Sequence, residues 1–153
     1  MMGTDKINTP LIHCVFTSST WAEMDEQAFL DLVARHKDLN QGSDSITGLM
    51  LYEGGNFFQV LEGPQDQVDA MYQAISLDSS YRKVVKIVEE RIEGRDFKGL
   101  SSAYGTAVKN LVASTGDKEA YFSSEGEFSR VCAGRAKKLV REFVGGRWRL
   151  VKP

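Results

Sequence analysis

Cysteine and histidine are scarce in this chain, with two of each among 153 residues. Cys14 and Cys132 are too few for a disulfide framework and do not have the spacing of a metal-binding motif. We expect both to be buried thiols, because a free cysteine packs as a small hydrophobe. The histidines, His13 and His36, suggest no Ser-His-Asp set, and we expect each of them to be structural.

Long apolar runs and an excess of one charge are also missing. No stretch approaches the roughly 20 apolar residues that span a bilayer, and residues 1–10 lack the apolar centre of a signal peptide. The formal net charge of -2 gives no electrostatic case for nucleic acid or an anionic membrane. The sequence therefore predicts a cytoplasmic protein with neither a nucleic-acid nor a membrane partner.

The length of 153 residues suits one two-layer core and leaves no room for a second. Residues 1–10 carry turn formers and end at Pro10, so we expect a flexible arm there. Residues 108–153 predict a C-terminal helical extension of the same domain, because apolar positions recur at helical spacing before two glycines end the run. These positions are Phe128, Val131, Cys132, Ala136, Leu139, Val140 and Phe143.

The middle of the chain alternates between strand and helix patterns. Runs of β-formers predict strands over residues 11–17, 46–52, 56–62, 84–88 and 101–107, and helical spacing predicts helices over residues 23–39 and 65–77. The order β-α-β-β-α-β-β indicates an α+β, ferredoxin-like sandwich with two helices over one sheet face. The other face needs a cover, so we place the C-terminal helical extension on the back of the sheet.

One amide side chain, Gln59, stands where a purely structural strand would have an apolar residue. Side chains alternate across a strand, so Gln59 shares a face with Phe57 and Leu61. A buried amide without a partner costs on the order of 1–3 kcal/mol, so Gln59 should be hydrogen-bonded. Its partner is either the backbone of a neighbouring strand or loop, or a bound molecule.

Three motifs around this glutamine resemble the BLUF family, the blue-light sensors that bind flavin. They are ITGLMLY at residues 46–52, FFQVLEG at residues 57–63 and the helix over residues 68–78 ending in ISLD, with weaker support from RDF at residues 95–97. The resemblance runs from Leu11 to about Tyr104 and marks residues 11–107 as a BLUF-like flavin-binding domain. It implies a light-sensing signalling protein, not an enzyme, that holds FAD between the two helices.

The resemblance also implies which residues contact the flavin: Phe16, Val33, Asn40, Gln41, Phe57, Gln59 and Ile75. The family's glutamine falls on Gln59, and its two asparagines after the first helix fall on Asn40 and Gln41. Val33 and Ile75 match the apolar positions that flank the ring, and both are equally natural as plain core residues. Phe16 and Phe57 belong to the floor of the implied pocket.

Position 16 departs from the family pattern. The family's first strand typically ends in Ile-Tyr-x-Ser, whereas residues 15–18 read VFTS here. In the family mechanism, excited flavin takes an electron and then a proton from that tyrosine through the glutamine. A phenyl ring has no hydroxyl to donate. Phe16 therefore predicts an absent or altered photocycle, with Tyr52 and Tyr104 as the nearest candidate replacement phenols.

Other departures predict that FAD binding is weakened or lost. Gln41 is one methylene longer than asparagine, and Ala74 stands where many members have a basic residue. Residues 100–102 read LSS where the family often has Trp-Ser-Met. Arg35 and Lys37 on the first helix are candidates to reach a ligand phosphate.

Two rival classes stand beside the flavin-binding sensor. Acylphosphatases share the sandwich fold, but residues 17–21, TSSTW, lack the arginine and glycine that such a phosphate loop needs. The second rival is a flavin-free BLUF-fold interaction module, which would act as a homo-oligomer or bind an unknown downstream protein. Trp148 is either an anchor for that partner or a tail aromatic folded onto the core.

Overall fold

A computed structural model describes residues 10–40, 45–113 and 135–151. The elements in chain order are β1 (Leu11–Thr20), α1 (Glu26–Asn40), β2 (Thr47–Glu53), β3 (Asn56–Pro64), α2 (Gln65–Ser76), β4 (Tyr81–Arg91), β5 (Leu100–Tyr104), α3 (Thr106–Ala113) and α4 (Arg135–Val144). The arm predicted over residues 1–10 lies outside the described residues except for Pro10, and so do Gln41 and Cys132.

Five strands form one sheet in the order β4-β1-β3-β2-β5. β1 pairs antiparallel with β3 and β4, β2 pairs antiparallel with β3, and β5 runs parallel to β2. This is the ferredoxin-like sandwich that the strand and helix patterns predict, with a fifth strand at one edge. The two central strands, β1 and β3, are buried along almost their whole length.

The predicted bounds are wrong at three strands. β1 continues to Thr20, beyond the predicted residue 17, because the polar residues 18–20 pair with β4. β4 spans Tyr81–Arg91, which is wider at both ends than the predicted residues 84–88. It is an edge strand, so polar side chains at its ends stay exposed while their backbone pairs with β1. The last strand ends at Tyr104, short of the predicted residue 107, because Gly105 adopts a φ of 62° and turns the chain into α3.

The front layer consists of α1 and α2 packed on one sheet face. The sheet contributes Ile12, Cys14, Phe16, Phe57 and Leu61, α1 contributes Phe29, Leu32 and Val33, and α2 contributes Val68, Met71 and Ile75. These helical positions recur every three or four residues, which places them on one side of each helix. Cys14 is a free thiol that is fully buried, as expected, and burial raises its pKa to about 12.

The back layer contains α4, as predicted for the C-terminal helical extension. Ala136, Leu139, Val140 and Phe143 of α4 pack on Val15, Leu49, Leu51, Phe58 and Val60 of the sheet. Phe143 is fully buried, its ring centroid lies 5.3 Å from that of Phe58, and the Arg149 guanidinium lies 4.0 Å from the Phe143 centroid. Phe128 and Val131, which were assigned to the same helix, lie outside the described residues.

The segment after α4 is hydrogen-bonded to the β2-β3 hairpin. The Asn56 side chain accepts from the backbone N–H groups of Leu150 (2.7 Å) and Val151 (2.9 Å) and donates to the Val151 carbonyl at 2.8 Å. The Thr17 hydroxyl on β1 donates to the Trp148 carbonyl at 2.6 Å. Trp148 is partly buried against the back layer, so it is a tail aromatic folded onto the core.

The sequence motifs around residues 46–48, 61–63 and 95–97 meet at one buried carboxyl group, that of Glu62. Its oxygens accept from the Thr47 hydroxyl at 2.7 Å, the Asp96 N–H at 2.7 Å and the Phe97 N–H at 3.2 Å. Burial raises the pKa of Glu62 to about 7. A Cβ at Gly48 would overlap the Val60 carbonyl oxygen, which explains the glycine of the first motif.

Within residues 10–40, 45–113 and 135–151, no helix has the length and apolar character needed to cross a membrane. The same part of the chain has no group of three or more His, Cys, Asp or Glu side chains placed to hold a metal ion.

If α4 belongs to the cooperative core, Phe143→Ala should lower the free energy of unfolding by about 3–5 kcal/mol, because it removes a buried ring and leaves a cavity. Urea denaturation followed by circular dichroism measures the change. Arg141→Ala, an exposed position on the same helix, is the matched control and should cost less than about 0.5 kcal/mol. Equal losses in the two variants would contradict the integral role of α4.

The raised pKa of Glu62 predicts how stability depends on pH. The folded protein holds this proton more tightly than the unfolded chain, whose ordinary value is 4.5. The stabilisation is therefore full below about pH 4.5 and is lost as the pH rises through 7. Urea denaturation of wild type and Glu62→Gln should show the wild type losing about 2.5 kcal/mol relative to the variant between pH 5 and 8.

The exposed Glu93→Gln is the control for this profile, and the loss of stability between pH 5 and 8 should persist in it. A constant difference between wild type and Glu62→Gln from pH 5 to 8 would show that the carboxyl titrates normally in the folded protein.

Candidate functional site

Gln59 lies in the middle of the sheet, beneath α1 and α2. It sits opposite Phe16 in the β1-β3 pairing and is only 2% exposed. Phe57 and Leu61 on the same strand point into the same layer, and Phe58 and Val60 point into the back layer. The predicted alternation of β3 is therefore confirmed, and it delivers a single polar side chain into an apolar front layer.

Phe16 packs beside this amide as a fully buried ring. Its partner in the layer is Tyr72 of α2, whose ring meets it edge-on with 5.0 Å between the centroids. Phe57 is also fully buried, stacks against Phe29 of α1 and meets the Tyr81 ring edge-on. Buried aromatic rings therefore form the floor of the site, and the ring at position 16 has no hydroxyl.

Gln59 is hydrogen-bonded to two side chains that the sequence analysis did not assign to the site. The Tyr81 hydroxyl donates to Gln59 Oε1 at 3.2 Å, and the Gln59 amide nitrogen lies 3.5 Å from His36 Nδ1. The third side of the triangle joins Tyr81 Oη to His36 Nε2 at 3.2 Å. We call Tyr81, Gln59 and His36 the amide triad.

Both titratable members of the amide triad are neutral near pH 7. Burial lowers the pKa of His36 to about 4, and the nearby Asp78 carboxylate opposes this only in part. Burial also raises the pKa of the Tyr81 phenol well above its ordinary value. A neutral imidazole has one donor and one acceptor nitrogen, so it can bond to a phenol and an amide at once.

The two phenols proposed as replacements for the missing tyrosine do not reach Gln59, so that prediction is wrong. The Tyr52 hydroxyl accepts from the Met24 N–H at 2.9 Å, and the Tyr104 hydroxyl donates to the Met24 carbonyl at 2.8 Å. Both side chains lie in the front layer, but their hydroxyls are bonded to Met24, just before α1.

The two missed residues, His36 and Tyr81, differ in whether the sequence could have revealed them. His36 follows Phe29, Leu32 and Val33 on the apolar side of α1, so its burial could be read from helical spacing. Tyr81 gave no such signal, because it is the first residue of an edge strand whose pairing with β1 is irregular on both sides of residues 16–19. Its position depends on that register, which no local pattern encodes.

The other residues that the resemblance assigned to the flavin lie on α1 and α2 or outside the described residues. Val33 and Ile75 are buried on the facing sides of α1 and α2. Asn40, the last residue of α1, donates to the Ile46 carbonyl at 3.1 Å and ties the helix end to the strand that follows. Gln41 lies outside the described residues.

The cationic side chains of α1 lie at the rim. Arg35 donates to Ser80 Oγ at 3.0 Å and to the Asp78 carboxylate at 3.4 Å, so it already has an anionic partner. Lys37 lines both a cavity of about 20 Å³ next to Gln59 and an open depression of about 300 Å³ near Asn40.

The space between α1 and α2 above Gln59, which we call the slot, has the chemistry that a flavin ring needs. A planar, mostly apolar ring with hydrogen-bonding atoms on one edge needs apolar walls and an amide that can donate and accept, which Val33, Ile75 and Gln59 offer. The cavity of about 20 Å³ has room for about one water molecule. A flavin ring needs more room than this cavity provides.

Comparisons with known proteins agree with this geometry. The aligned part of the blue light- and temperature-regulated antirepressor BluF of Escherichia coli (strain K12) is 40% identical over 58 residues, covering 38% of this chain and 14% of that protein. The photoactivated adenylate cyclase subunit alpha of Euglena gracilis is 39% identical over 56 residues, covering 34% of this chain and 6% of that protein. The chain thus spans a small part of both relatives.

Solved structures show the same fold. BlrB, a BLUF protein in its dark state, superposes with a TM-score of 0.62 at 23% identity, over 90% of this chain and 97% of that one. Klebsiella pneumoniae BlrP1, in a manganese and cyclic di-GMP complex, gives 0.72 at 23% identity over 94% and 35%. The family model described as sensors of blue-light using FAD matches residues 11–103, which is more than half of the chain. The chain therefore belongs to the BLUF family.

Proposed function

We propose that this chain is a blue-light sensing and signalling domain that binds FAD between α1 and α2. The observation that supports this proposal is a buried amide, Gln59, in the middle of the sheet beneath two helices in a BLUF fold. Burying an amide in an apolar layer costs free energy unless the amide is hydrogen-bonded. In a BLUF-family chain we interpret Gln59 as the group that hydrogen-bonds the flavin.

The proposed binding residues divide by their chemistry. Val33 and Ile75 would face the two sides of the ring, and Phe16 and Phe57 would lie beneath it. Gln59, Asn40 and Gln41 would offer amide groups to the polar edge of the ring. The flavin, when bound, supplies absorption of blue light and an acceptor for electrons. This chain's own residues would orient the ring and exclude water from its polar edge.

The proposed photocycle differs from the family's, because Phe16 has neither a hydroxyl nor a readily oxidised group. It is fully buried and sits opposite Gln59 in the β1-β3 pairing, so its ring cannot take over the role of the missing phenol. We therefore propose that the route through position 16 is absent, and that any light response uses other side chains.

A flavin-free interaction module is the second candidate function. It is favoured by one observation, that the polar atoms of Gln59 are already bonded to Tyr81 and His36 around a cavity of about 20 Å³. In this reading the amide triad closes the slot permanently, and the scaffold acts through its outer surfaces alone.

The output of either candidate is proposed to be contact with a downstream protein or with a second copy of the chain in the cytoplasm, rather than catalysis. The BluF relative is named as an antirepressor and the Euglena relative as a cyclase subunit, and these roles belong to those proteins. We further propose that residues 11–107 form the flavin-binding domain, preceded by an arm and followed by an integral extension over residues 108–153.

Mixing the purified protein with FAD and desalting it should leave a structured flavin absorption spectrum with the protein. Val33→Trp should abolish the retained absorption, because the indole would fill the slot beside Gln59. Leu30→Trp, on the exposed side of α1, is the matched control and should retain FAD as the wild type does. Loss of flavin from the wild type during desalting would favour the flavin-free module.

Restoring the phenol by Phe16→Tyr should create or enlarge a reversible red shift of the flavin absorption under blue light, because it returns a hydroxyl to the position opposite Gln59. Difference spectra recorded before and immediately after illumination measure the shift. Phe29→Tyr adds a hydroxyl to a buried ring of the same layer and should leave the spectra unchanged. Identical spectra for wild type and Phe16→Tyr would contradict a pocket that lacks only the phenol.

A further inference from the structure

The amide triad has a consistent direction of hydrogen bonding. Tyr81 has one hydroxyl proton and donates it to Gln59 Oε1, so its oxygen must accept from His36 Nε2. A neutral imidazole protonated at Nε2 carries its lone pair at Nδ1, which faces the Gln59 amide N–H at 3.5 Å. Each member therefore donates once and accepts once, and the three bonds form a closed ring.

The closed ring can run in only two directions. In the second direction the Gln59 amide is rotated by half a turn, its N–H donates to Tyr81 Oη, Tyr81 donates to His36 Nε2, and His36 Nδ1 donates to the amide oxygen. The change breaks the imidazole Nε2–H bond and forms an Nδ1–H bond, with no proton gained or lost by the protein. Any mixed arrangement leaves a buried polar atom unpaired, which is unfavourable.

We propose that Tyr81 replaces the phenol that position 16 lacks, and that the amide triad is the two-orientation switch of this site. The phenol is the member that makes both orientations possible, because a hydroxyl can donate in one and accept in the other. Tyr81 is thus a positioning residue for Gln59, reaching it from β4, whereas Phe16 lies opposite Gln59 on β1. Its part in a light response rests on the proposed binding of FAD.

Burial supports this role. Tyr81 is 7% exposed, His36 5% and Gln59 2%, so water competes little for their hydrogen bonds. Phe57 holds the Tyr81 ring edge-on at 5.1 Å between centroids, which limits the positions its hydroxyl can take. The phenol is also the side chain of the triad that can be oxidised most readily, and it stands one hydrogen bond from Gln59.

The ring is tested first on the flavin-free protein by nitrogen-15 NMR of the histidine side chains and the glutamine amides at pH 7. The wild type should show His36 as a single tautomer protonated at Nε2, with Gln59 amide protons that exchange slowly with water. Tyr81→Phe should abolish the tautomer preference and speed exchange of the Gln59 amide at least tenfold. Unchanged signals in this variant would overturn the proposal.

Two further variants keep this test decisive. Tyr104→Phe removes a phenol of the same layer that bonds to Met24, and it should leave both signals as in the wild type. Gln59→Met removes the acceptor of Tyr81 and the partner of His36, so it should also abolish the tautomer preference. If Tyr81→Phe does not fold, a preserved preference in Gln59→Met overturns the ring.

The light response is tested on protein loaded with FAD. A reversible red shift should be present in the wild type and in Tyr104→Phe and lost in Tyr81→Phe. A shift that survives Tyr81→Phe, or retained FAD without any shift in the wild type, overturns the switch and leaves the proposed FAD binding standing. Failure of the wild type to retain FAD overturns the proposed function instead, and the NMR result alone then decides the ring.

Discussion

The antiparallel pairing of β1 with β3 is the constraint on which the rest of the structure depends. It runs unbroken from Leu11 opposite Pro64 to Ser19 opposite Asn56, and both strands are covered on both faces. This register decides that residue 16 faces residue 59 and that odd residues of β3 from 57 to 61 enter the front layer. A slip by one residue would exchange the two layers and bring Phe58 and Val60 under the helices.

The sequence predicts the fold well because its signals are local or short in range. The hairpin turn has two adjacent glycines with φ of 61° and 85°, the two front helices show clear apolar spacing, and the alternation of β3 is regular. The strands run further than predicted where polar residues continue them, as at the ends of β4 and over residues 18–20 of β1, because pairing with a neighbour rather than hydrophobicity keeps them extended.

The candidate site divides in the same way. Strand parity placed Gln59 with Phe57, and the family resemblance added Phe16, Val33 and Ile75. The structure brings all five into the front layer. The partners of Gln59 were missed, because a hydrogen bond from β4 to β3 passes across β1 and depends on three strands at once. Tyr52 and Tyr104 share the correct layer, yet their hydroxyls bond to Met24. Strand parity predicts which face of the sheet a side chain occupies, whereas the group that it contacts depends on the assembled sheet.

The tail after α4 bonds to β1 through Thr17, whose hydroxyl donates to the Trp148 carbonyl, and the neighbouring residue on β1 is Phe16. Because successive residues of a strand point to opposite faces, one peptide unit connects the floor of the front slot with the anchor of the tail behind the sheet. The site and the tail are therefore attached to neighbouring residues of one strand. A sideways displacement of β1 near residue 16 would move the floor of the front slot and the anchor of the tail together, without being transmitted through either helix layer.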